Sequence, residues 1–408
     1  MKLSTVRLQQ HAGHMFREHW KIQGKKRVLD HGPLKQLQQR GIEFEDALDV
    51  IKEKRPEKKI LPLKSFEPVP VVAGEAHPDY HEEPCLTYKD HNVLLEGFKQ
   101  AKVLTNTVEI NSDVLPLQQD VSIEQELPLQ DKLVKRCIKS SLMYDATQGL
   151  LPKRHDPSRE AWIFPREYGI TDKRRNYLLV NRLLQLCSSF SPQLLGQRSV
   201  VNSAKFVVPV TLPSKQKILF SVTGDAVVFA DKHPTIERTQ QEINSELPDI
   251  SPLSPVVSLE ESNIFKFEPS FPLTSDAKLR KIHTAVVHYN ETQVHNLFDS
   301  PVTSDQILGR SLMQAWVFAM AQAPQNPTGK LKEPISVQTV HTNGQFFHFS
   351  VLQLNSTSCA SNTEPKNYFW SFPVMDIFKH CTYEKGLPVF EDYNPRVFRT
   401  LLAFYNNC

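Results

Sequence analysis

Two β-rich runs flank the dipeptide Asn343-Gly344, and this pattern limits the possible fold more than any other in the chain. Together they form ISVQTVHTNGQFFHFSVLQL, residues 335–354. Because Asn-Gly is the dipeptide best suited to a type I′ turn, we predict a β-hairpin with that turn here. A second hairpin is predicted around Gly224-Asp225, between β-rich runs at 218–222 and 227–230.

Helical patterns lie before, between and after these strands. Apolar residues recur at helical spacing in four segments, which are 92–105, 129–147, 172–189 and 304–322. The last of these has few polar residues, so we expect it to be buried on most sides. A final helix is predicted to begin at Asn394-Pro395, a capping residue followed by proline. The pattern indicates an α/β (α+β) fold, with a mixed, partly antiparallel sheet flanked by helices.

The first residues have the composition of a mitochondrial import signal. Residues 1–17 contain Lys2, Arg7 and Arg17 but no acidic residue. We therefore predict a presequence over about residues 1–20 and delivery to the mitochondrial matrix; the alternative is a basic tail on a cytosolic protein. An extended arm, basic and proline-rich, is predicted over 21–91, because each proline favours extended backbone around it.

The globular body is predicted to cover residues 92–408. A connector rich in proline, serine and glutamate covers about residues 231–255. Such a composition is typical of a linker, so a division of the body into two lobes near this connector is kept as an alternative.

Positive charge is concentrated near the N-terminus. The first forty residues contain nine Lys and Arg against two acidic residues, a net charge of +7. Since the whole chain carries +3, the remainder carries −4. Such asymmetry is typical of an import signal, of an arm that binds nucleic acid, or of both.

Clusters of basic residues are the candidate contacts to RNA phosphate. The cluster at 173–175 lies at the start of a predicted helix, where the helix dipole disfavours cations. A bound anion from outside the chain, such as RNA phosphate, would compensate for this placement. A solvated surface is the alternative explanation for any one cluster. The candidates are Lys25, Lys26, Arg27, Lys52, Lys54, Arg55, Lys58, Lys59, Lys132, Lys135, Arg136, Lys139, Lys153, Arg154, Lys173, Arg174 and Arg175.

The motifs of common enzyme and cofactor sites are missing from the sequence. Its 14 glycines form neither a dinucleotide fingerprint nor a phosphate loop, and no G-x-S-x-G surrounds a serine. His77, His81 and Cys85 have the spacing of metal ligands on a helix, but the intervening prolines exclude a regular helix. We expect no catalytic residue, metal, cofactor or small-molecule substrate.

The cysteines and the apolar segments exclude further classes of protein. The six cysteines lie far apart, which favours reduced thiols over a disulfide scaffold or a zinc ribbon. An enzyme that uses His380 and Cys381 is kept as an alternative. No apolar stretch approaches the roughly 20 residues of a membrane span, so we expect none.

Four blocks of sequence carry a resemblance to a known family. They are LLEGFKQAKVLT at 94–105, SPVVSLEESNIF at 254–265, SVQTVHTNGQFFHFSVLQLNST at 336–357 and VFRTLLAFY at 397–405. In these blocks and their order the chain resembles the metazoan family of mitochondrial large-ribosomal-subunit protein thirty-seven. The resemblance implies a structural, non-catalytic subunit of the mitochondrial ribosome.

The same resemblance implies the partners of the chain. They would be the mitochondrial large-subunit rRNA and neighbouring large-subunit proteins, with a related paralogue among the candidates. A peripheral subunit of this kind would use its basic arm for phosphate and its body mainly for proteins. The alternative function is that of a mitochondrial RNA-binding assembly or RNA-processing factor.

Overall fold

The computed structural model describes residues 37–42, 74–111, 116–117, 127–142, 172–236, 246–290, 293–297, 300–324, 330–360, 365–384 and 387–407. The chain divides into two compact units, Met1–Val71 and Val72–Cys408. In the first unit, residues 37–42 form one helical turn that ends near Gly41, where φ is 71°. The predicted presequence and most of the predicted arm lie outside the described residues.

The described part of Val72–Cys408 contains twelve strands. They are β1 (Tyr80–Lys89), β2 (Thr107–Asn111), β3 (Arg198–Thr211), β4 (Lys217–Ala230), β5 (Glu260–Ile264), β6 (Lys281–His288), β7 (Lys330–Thr342), β8 (Phe346–Ser356), β9 (Asn367–Ser371), β10 (Met375–Asp376), β11 (His380–Glu384) and β12 (Leu387–Glu391). It also contains five α-helices, which are α1 (Gly97–Leu104), α2 (Gln130–Leu142), α3 (Asp172–Phe190), α4 (Ser304–Met320) and α5 (Pro395–Asn406).

Ten of these strands form one mixed sheet, which confirms the predicted fold class. Its central order is β2-β9-β8-β7-β6-β4-β1-β5, with β10 beside β8 and β3 beside β4. The pairs β1–β4, β6–β7 and β2–β9 are parallel, whereas the other pairs are antiparallel. Helix α4 connects the parallel strands β6 and β7, as such a crossover requires. The strands β11 and β12 form a separate hairpin.

Helices cover both faces of the sheet. One apolar core contains α4, α1 and one face of the sheet, and it includes Trp316 and Phe220. A second core contains α2, α3, α5 and residues of the opposite face, such as Phe349. Strands with both faces buried read as nearly continuous apolar runs, and in β8 residues 347–354 are all buried.

The helix predictions are largely confirmed. Helix α4 begins after Thr303, whose Oγ1 accepts a hydrogen bond from the Gln306 backbone N–H at 3.2 Å, and its residues from Gly309 to Ala319 are buried. Helix α5 begins at the predicted Asn394-Pro395 cap, where the Asn394 side chain accepts from the Arg396 N–H at 3.0 Å.

Three helix boundaries can be compared with the sequence. Helix α3 covers the predicted segment, and α2 ends at Leu142, while residues 143–147 lie outside the described residues. Helix α1 begins at Gly97 rather than at residue 92. The φ of Gly97 is 51°, and a right-handed helix cannot continue through a left-handed residue.

The predicted hairpin around Gly224-Asp225 is wrong, because both residues lie within β4. The antiparallel partner of β4 is β3, which precedes it, and the loop between them lies at 212–216. The alternation of apolar residues changes phase near Gly224. The residues of β4 that share one core are Ile218, Phe220, Val222, Val227 and Phe229. In a sequence, this change of phase looks like two strands joined by a turn.

The hairpin of β7 and β8 is confirmed, but its type I′ turn is wrong. That turn needs a positive φ at both central residues, and Gly344 has a φ of 93° whereas the φ of Asn343 is not positive. Instead, the Asn343 side-chain Oδ1 accepts hydrogen bonds from the backbone N–H groups of Gln345 (2.8 Å) and Phe346 (2.9 Å). A side chain that accepts from the backbone two residues on is a common way to close a turn.

Two features of the sheet bear on the predicted domain boundaries. Strand β1, at Tyr80–Lys89, pairs with β4 and β5, although the sequence assigns residues 21–91 to the arm. Strand β4, before the connector at 231–255, pairs with β6 after it. The described sheet therefore includes strands from both sides of this connector.

Candidate nucleic-acid interface

Helix α2 presents one basic face to solvent. Its residues Val134 and Ile138 are fully buried against α3 and the sheet, because an amphipathic helix turns its apolar side to the core. The four basic residues of the opposite side are exposed and line one shallow groove of about 430 Å³. They are Lys132, Lys135, Arg136 and Lys139. The structure therefore brings these four candidate phosphate contacts together on one side of the helix; we call them the α2 basic face.

Aromatic residues from the C-terminal region lie under this basic face. The Lys135 Nζ lies 4.9 Å from the centre of the Tyr393 ring, and the Lys139 Nζ lies 5.7 Å from the centre of the Phe390 ring. The Tyr393 hydroxyl donates a hydrogen bond to Asp131 Oδ1 at 3.1 Å. Cations at this distance from an aromatic ring are attracted to it, which favours these positions of the two exposed ammonium groups.

The residues at 173–175 occupy the first turn of α3, as predicted. Arg175 pairs with Asp172 of the same turn at 3.0 Å, and the Arg174 guanidinium lies 5.3 Å from the Tyr177 ring. The carboxylate at the start of the helix offsets the unfavourable dipole. Asp172 therefore supplies local compensation for Arg175, and the argument for an anion from outside the chain is weaker at this residue.

A smaller cavity of about 320 Å³ lies where the C-terminal end of α2 and the first turn of α3 meet the β7–β8 turn and the start of the β11–β12 hairpin. It is lined by Leu142, the last residue of α2, by Arg175, and by Lys379 and His380 at the start of the β11–β12 hairpin. Lys379 pairs with Asp392 at 3.3 Å. The basic first turn of α3 thus lies beside the C-terminal end of α2, on the same side of the sheet.

Ten further residues were predicted from the sequence as phosphate contacts. They lie outside the described residues, and they are Lys25, Lys26, Arg27, Lys52, Lys54, Arg55, Lys58, Lys59, Lys153 and Arg154. Phe390 and Tyr393, in turn, were not predicted from the sequence. Nothing in the local sequence marks them, because their contact to α2 depends on how β12 packs.

A buried polar network, which the sequence did not reveal, surrounds Arg310 of α4. The guanidinium donates to the backbone oxygens of Asp90 (3.1 Å) and His288 (3.4 Å) and also contacts the ring of His341. Burial lowers the pKa of Arg310 and raises that of Asp90, whose carboxylate accepts from the Thr223 N–H at 2.9 Å. The network joins α4 to three strands of the sheet, which is a structural role.

A serine–histidine contact lies in the wall of a cavity of about 990 Å³. The His348 Nε2 is 2.9 Å from the Ser371 Oγ, and its Nδ1 is 3.2 Å from the Ser311 Oγ. A hydrolytic triad would have a carboxylate at the second nitrogen, and among the described residues none bonds to His348. Burial lowers the pKa of His348 to about 4, which makes it a weak base at neutral pH.

The cysteines of the described residues are not activated nucleophiles. His380 and Cys381 are neighbours in β11, so their side chains point to opposite sides of the hairpin. Burial raises the pKa of the Cys381 thiol, and it raises that of Cys359 to about 12. A thiol with a raised pKa is mostly protonated at neutral pH and reacts slowly.

No group of three or more metal-ligating side chains occurs within the described ranges. Cys85 is buried in β1, and His81 stacks on Phe265 at a ring distance of 4.3 Å. In the same part of the chain, no helix is both long and apolar enough to cross a membrane.

The chain is similar to several known proteins that share one name. The large ribosomal subunit protein mL37 of Mus musculus is 28% identical over 361 residues, which cover 80% of this chain and 76% of that protein. The proteins of the same name from Bos taurus and Gallus gallus are 28% and 23% identical, over 81% and 79% of this chain. The matched segments cover 77% and 74% of those two proteins. No protein-family model matches the chain.

Proposed function

Because the chain belongs to the family of large ribosomal subunit protein mL37, we propose that it is a structural constituent of the mitochondrial large ribosomal subunit. The similarity over four fifths of the chain carries this proposal. The acid-free basic residues 1–17 agree with import into mitochondria. In this role the chain supports mitochondrial translation through contacts to rRNA and to neighbouring proteins, with no reaction of its own.

The α2 basic face is the part of the described body that suits rRNA best. Its four exposed cations lie on one helix side, as contacts to successive phosphates require. The side chains that line the groove are all cations. We therefore expect the contact to be mainly to the phosphate backbone of the RNA. The first turn of α3 lies at one end of this face.

Sedimentation tests the assignment to the subunit. The tagged full-length chain should sediment with the large mitochondrial subunit at a one-to-one ratio, and it should stay there at high salt. An assembly or RNA-processing factor would bind transiently, and its signal would disappear in moderate salt because phosphate contacts weaken steeply with salt. Dissociation in moderate salt would therefore favour the alternative function.

A charge-removing variant tests the rRNA contact. The variant replaces all four residues of the α2 basic face, Lys132, Lys135, Arg136 and Lys139, by Gln. Each replacement removes a positive charge but keeps a long polar side chain. RNA binding is measured at several salt concentrations, and the logarithm of the binding constant is plotted against the logarithm of the salt concentration. The slope of this plot should become shallower by about 0.7–0.9 for each phosphate that is no longer neutralised. A matched control replaces the exposed Lys205 and Lys215, which lie away from α2 on β3 and the loop that follows it, by Gln. Equal effects of the two variants would argue against a contact at α2.

A further inference from the structure

A groove of about 990 Å³ opens on the body beside the first turn of α4. Strands β2, β8 and β9 and the residues after β9 form its other walls. Most of the lining is apolar, and these residues are Ile307, Leu308, Phe346, Phe372, Pro373 and Val374. Val374 is 61% exposed, which is unusual for a valine next to other apolar side chains. An apolar groove of this size is typical of a site that is covered by a ligand or partner.

The charges that line the groove are acidic. Glu109 of β2 and Asp305 of α4 line it, and no Lys or Arg of the described residues does. One oxygen of Asp305 accepts a hydrogen bond from the Phe98 N–H at 3.0 Å, and Glu109 lies 3.5 Å from the Lys102 Nζ. Because Glu109 is already paired with Lys102, the carboxylate that can attract a further cation in the groove is that of Asp305. The α2 basic face, in contrast, presents four cations.

The sheet also ends at this groove. Strand β2 is the first strand in the order of the sheet and pairs with β9. Among the described residues, no strand pairs with the other edge of β2. A strand at a sheet edge presents unpaired backbone N–H and C=O groups, which an extended chain can satisfy. The other end of the order, β5, contains Glu260 and Glu261, and charges of this kind protect an edge from pairing.

We propose that this groove binds an extended segment of a neighbouring large-subunit protein, and that the segment combines apolar side chains with Lys or Arg. The apolar side chains fill the space between Leu308 and Val374, and the cation lies near Asp305. The inference rests on the proposed function, because it takes the partner from the same ribosomal subunit. It adds a site to that function: rRNA binds at α2, whereas a protein segment binds here.

Photo-crosslinking from the groove tests the proposal. The full-length chain with Val374→p-benzoylphenylalanine is expressed in cells, and large subunits are purified on a gradient before irradiation. We expect an adduct with a large-subunit protein, at a peptide that contains apolar residues together with Lys or Arg. The control places the same group at Leu195, which is 59% exposed in the turn after α3 and lies outside the groove.

Each other outcome overturns the proposal. These outcomes are an adduct with rRNA, one with a second copy of the chain, one with an acidic peptide, the same adduct from Leu195, and no adduct. If the wild-type chain is itself absent from the large subunit, the proposed function fails, and this is seen before any crosslinking.

A competition experiment measures the strength of the contact. Val374→Lys places a cation in the groove, opposite the expected cation of the partner, and because Val374 is exposed the substitution should not disturb folding. Co-expressed with the wild-type chain, it should enter large subunits about tenfold less well. Leu195→Lys should enter at a ratio near that of the wild type. Equal incorporation of the two variants overturns the proposal.

Discussion

The contact between Gly97 and Gly309 gives a sharp test of how α1 and α4 pack. A Cβ added at Gly309 would lie 2.6 Å from the carbonyl carbon and oxygen of Gly97 and 2.9 Å from the Phe98 nitrogen. These are backbone atoms, so no side chain can rotate away. The same Phe98 N–H donates to Asp305 at the start of α4, and α1 cannot withdraw without stretching this bond.

The replacement Gly309→Ala therefore sets two effects of opposite sign against each other. Alanine is favoured over glycine inside a helix by about 1 kcal/mol. Forcing a methyl group into a filled space costs about 1–3 kcal/mol, and weakening the hydrogen bond to a carboxylate costs about 1.5–3 kcal/mol more. We expect a net loss of about 1.5–5 kcal/mol in the free energy of unfolding.

Chemical denaturation of the purified full-length chain measures this difference. The control is Gly196→Ala, because a Cβ at Gly196 meets no atom within 4 Å. The control should change the free energy of unfolding by no more than about 0.5 kcal/mol. If Gly309→Ala is as stable as the wild type, or more stable, then α1 and α4 do not approach each other as closely as their glycines indicate.

Four further predictions concern the turn, a cap, the buried histidines and import. Gly344→Val should lower the free energy of unfolding by more than about 1–2 kcal/mol, because Gly344 has a φ of 93° and its Cβ would clash with Asn176; an unchanged denaturation midpoint contradicts this. Thr303→Ala should cost about 1 kcal/mol by removing a helix cap, whereas Thr303→Ser should cost little in the same assay. The pKa of His348 is lowered to about 4, so the unfolded chain binds a proton between pH 6.5 and 4 that the folded chain does not, and stability falls as the pH falls through this window. His348→Gln should reduce the slope of the free energy of unfolding against pH by at most about 1.4 kcal/mol per pH unit. Denaturation curves recorded at several pH values measure this slope. Deleting residues 1–17 should leave the protein outside mitochondria in a fractionation assay, and normal delivery would refute the import signal.

Much of the secondary structure could be predicted because local sequence determines it. The cap at Asn394-Pro395 and the apolar periodicity of α4 act within a few residues, and both were found where the sequence placed them. The fold class also follows from the order of such elements. The exact turn did not follow, because Asn343 can close a turn with its backbone or with its side chain, and only the surrounding structure selects between them.

The long-range features escaped the sequence for a different reason. The change of phase in β4 near Gly224 is meaningful only when the two cores on either side of the sheet are known. The contact of Lys135 with Tyr393 joins residues from opposite ends of the body, and the apolar groove combines segments of α4, β2, β8 and β9. No local pattern contains these pairings, since each depends on the packing of the sheet.

The small net charge of the chain does not show that its positive and negative side chains line different grooves. A total of +3 gives no strong attraction to RNA. The cations of α2, however, line one groove, while the two carboxylates of the larger groove lie against apolar side chains. Electrostatic attraction depends on the local arrangement of charge within about a Debye length, roughly 8 Å at physiological salt. A chain with little net charge can therefore bind phosphate on one surface and a basic protein segment on another, because each partner responds to the charge near its own site.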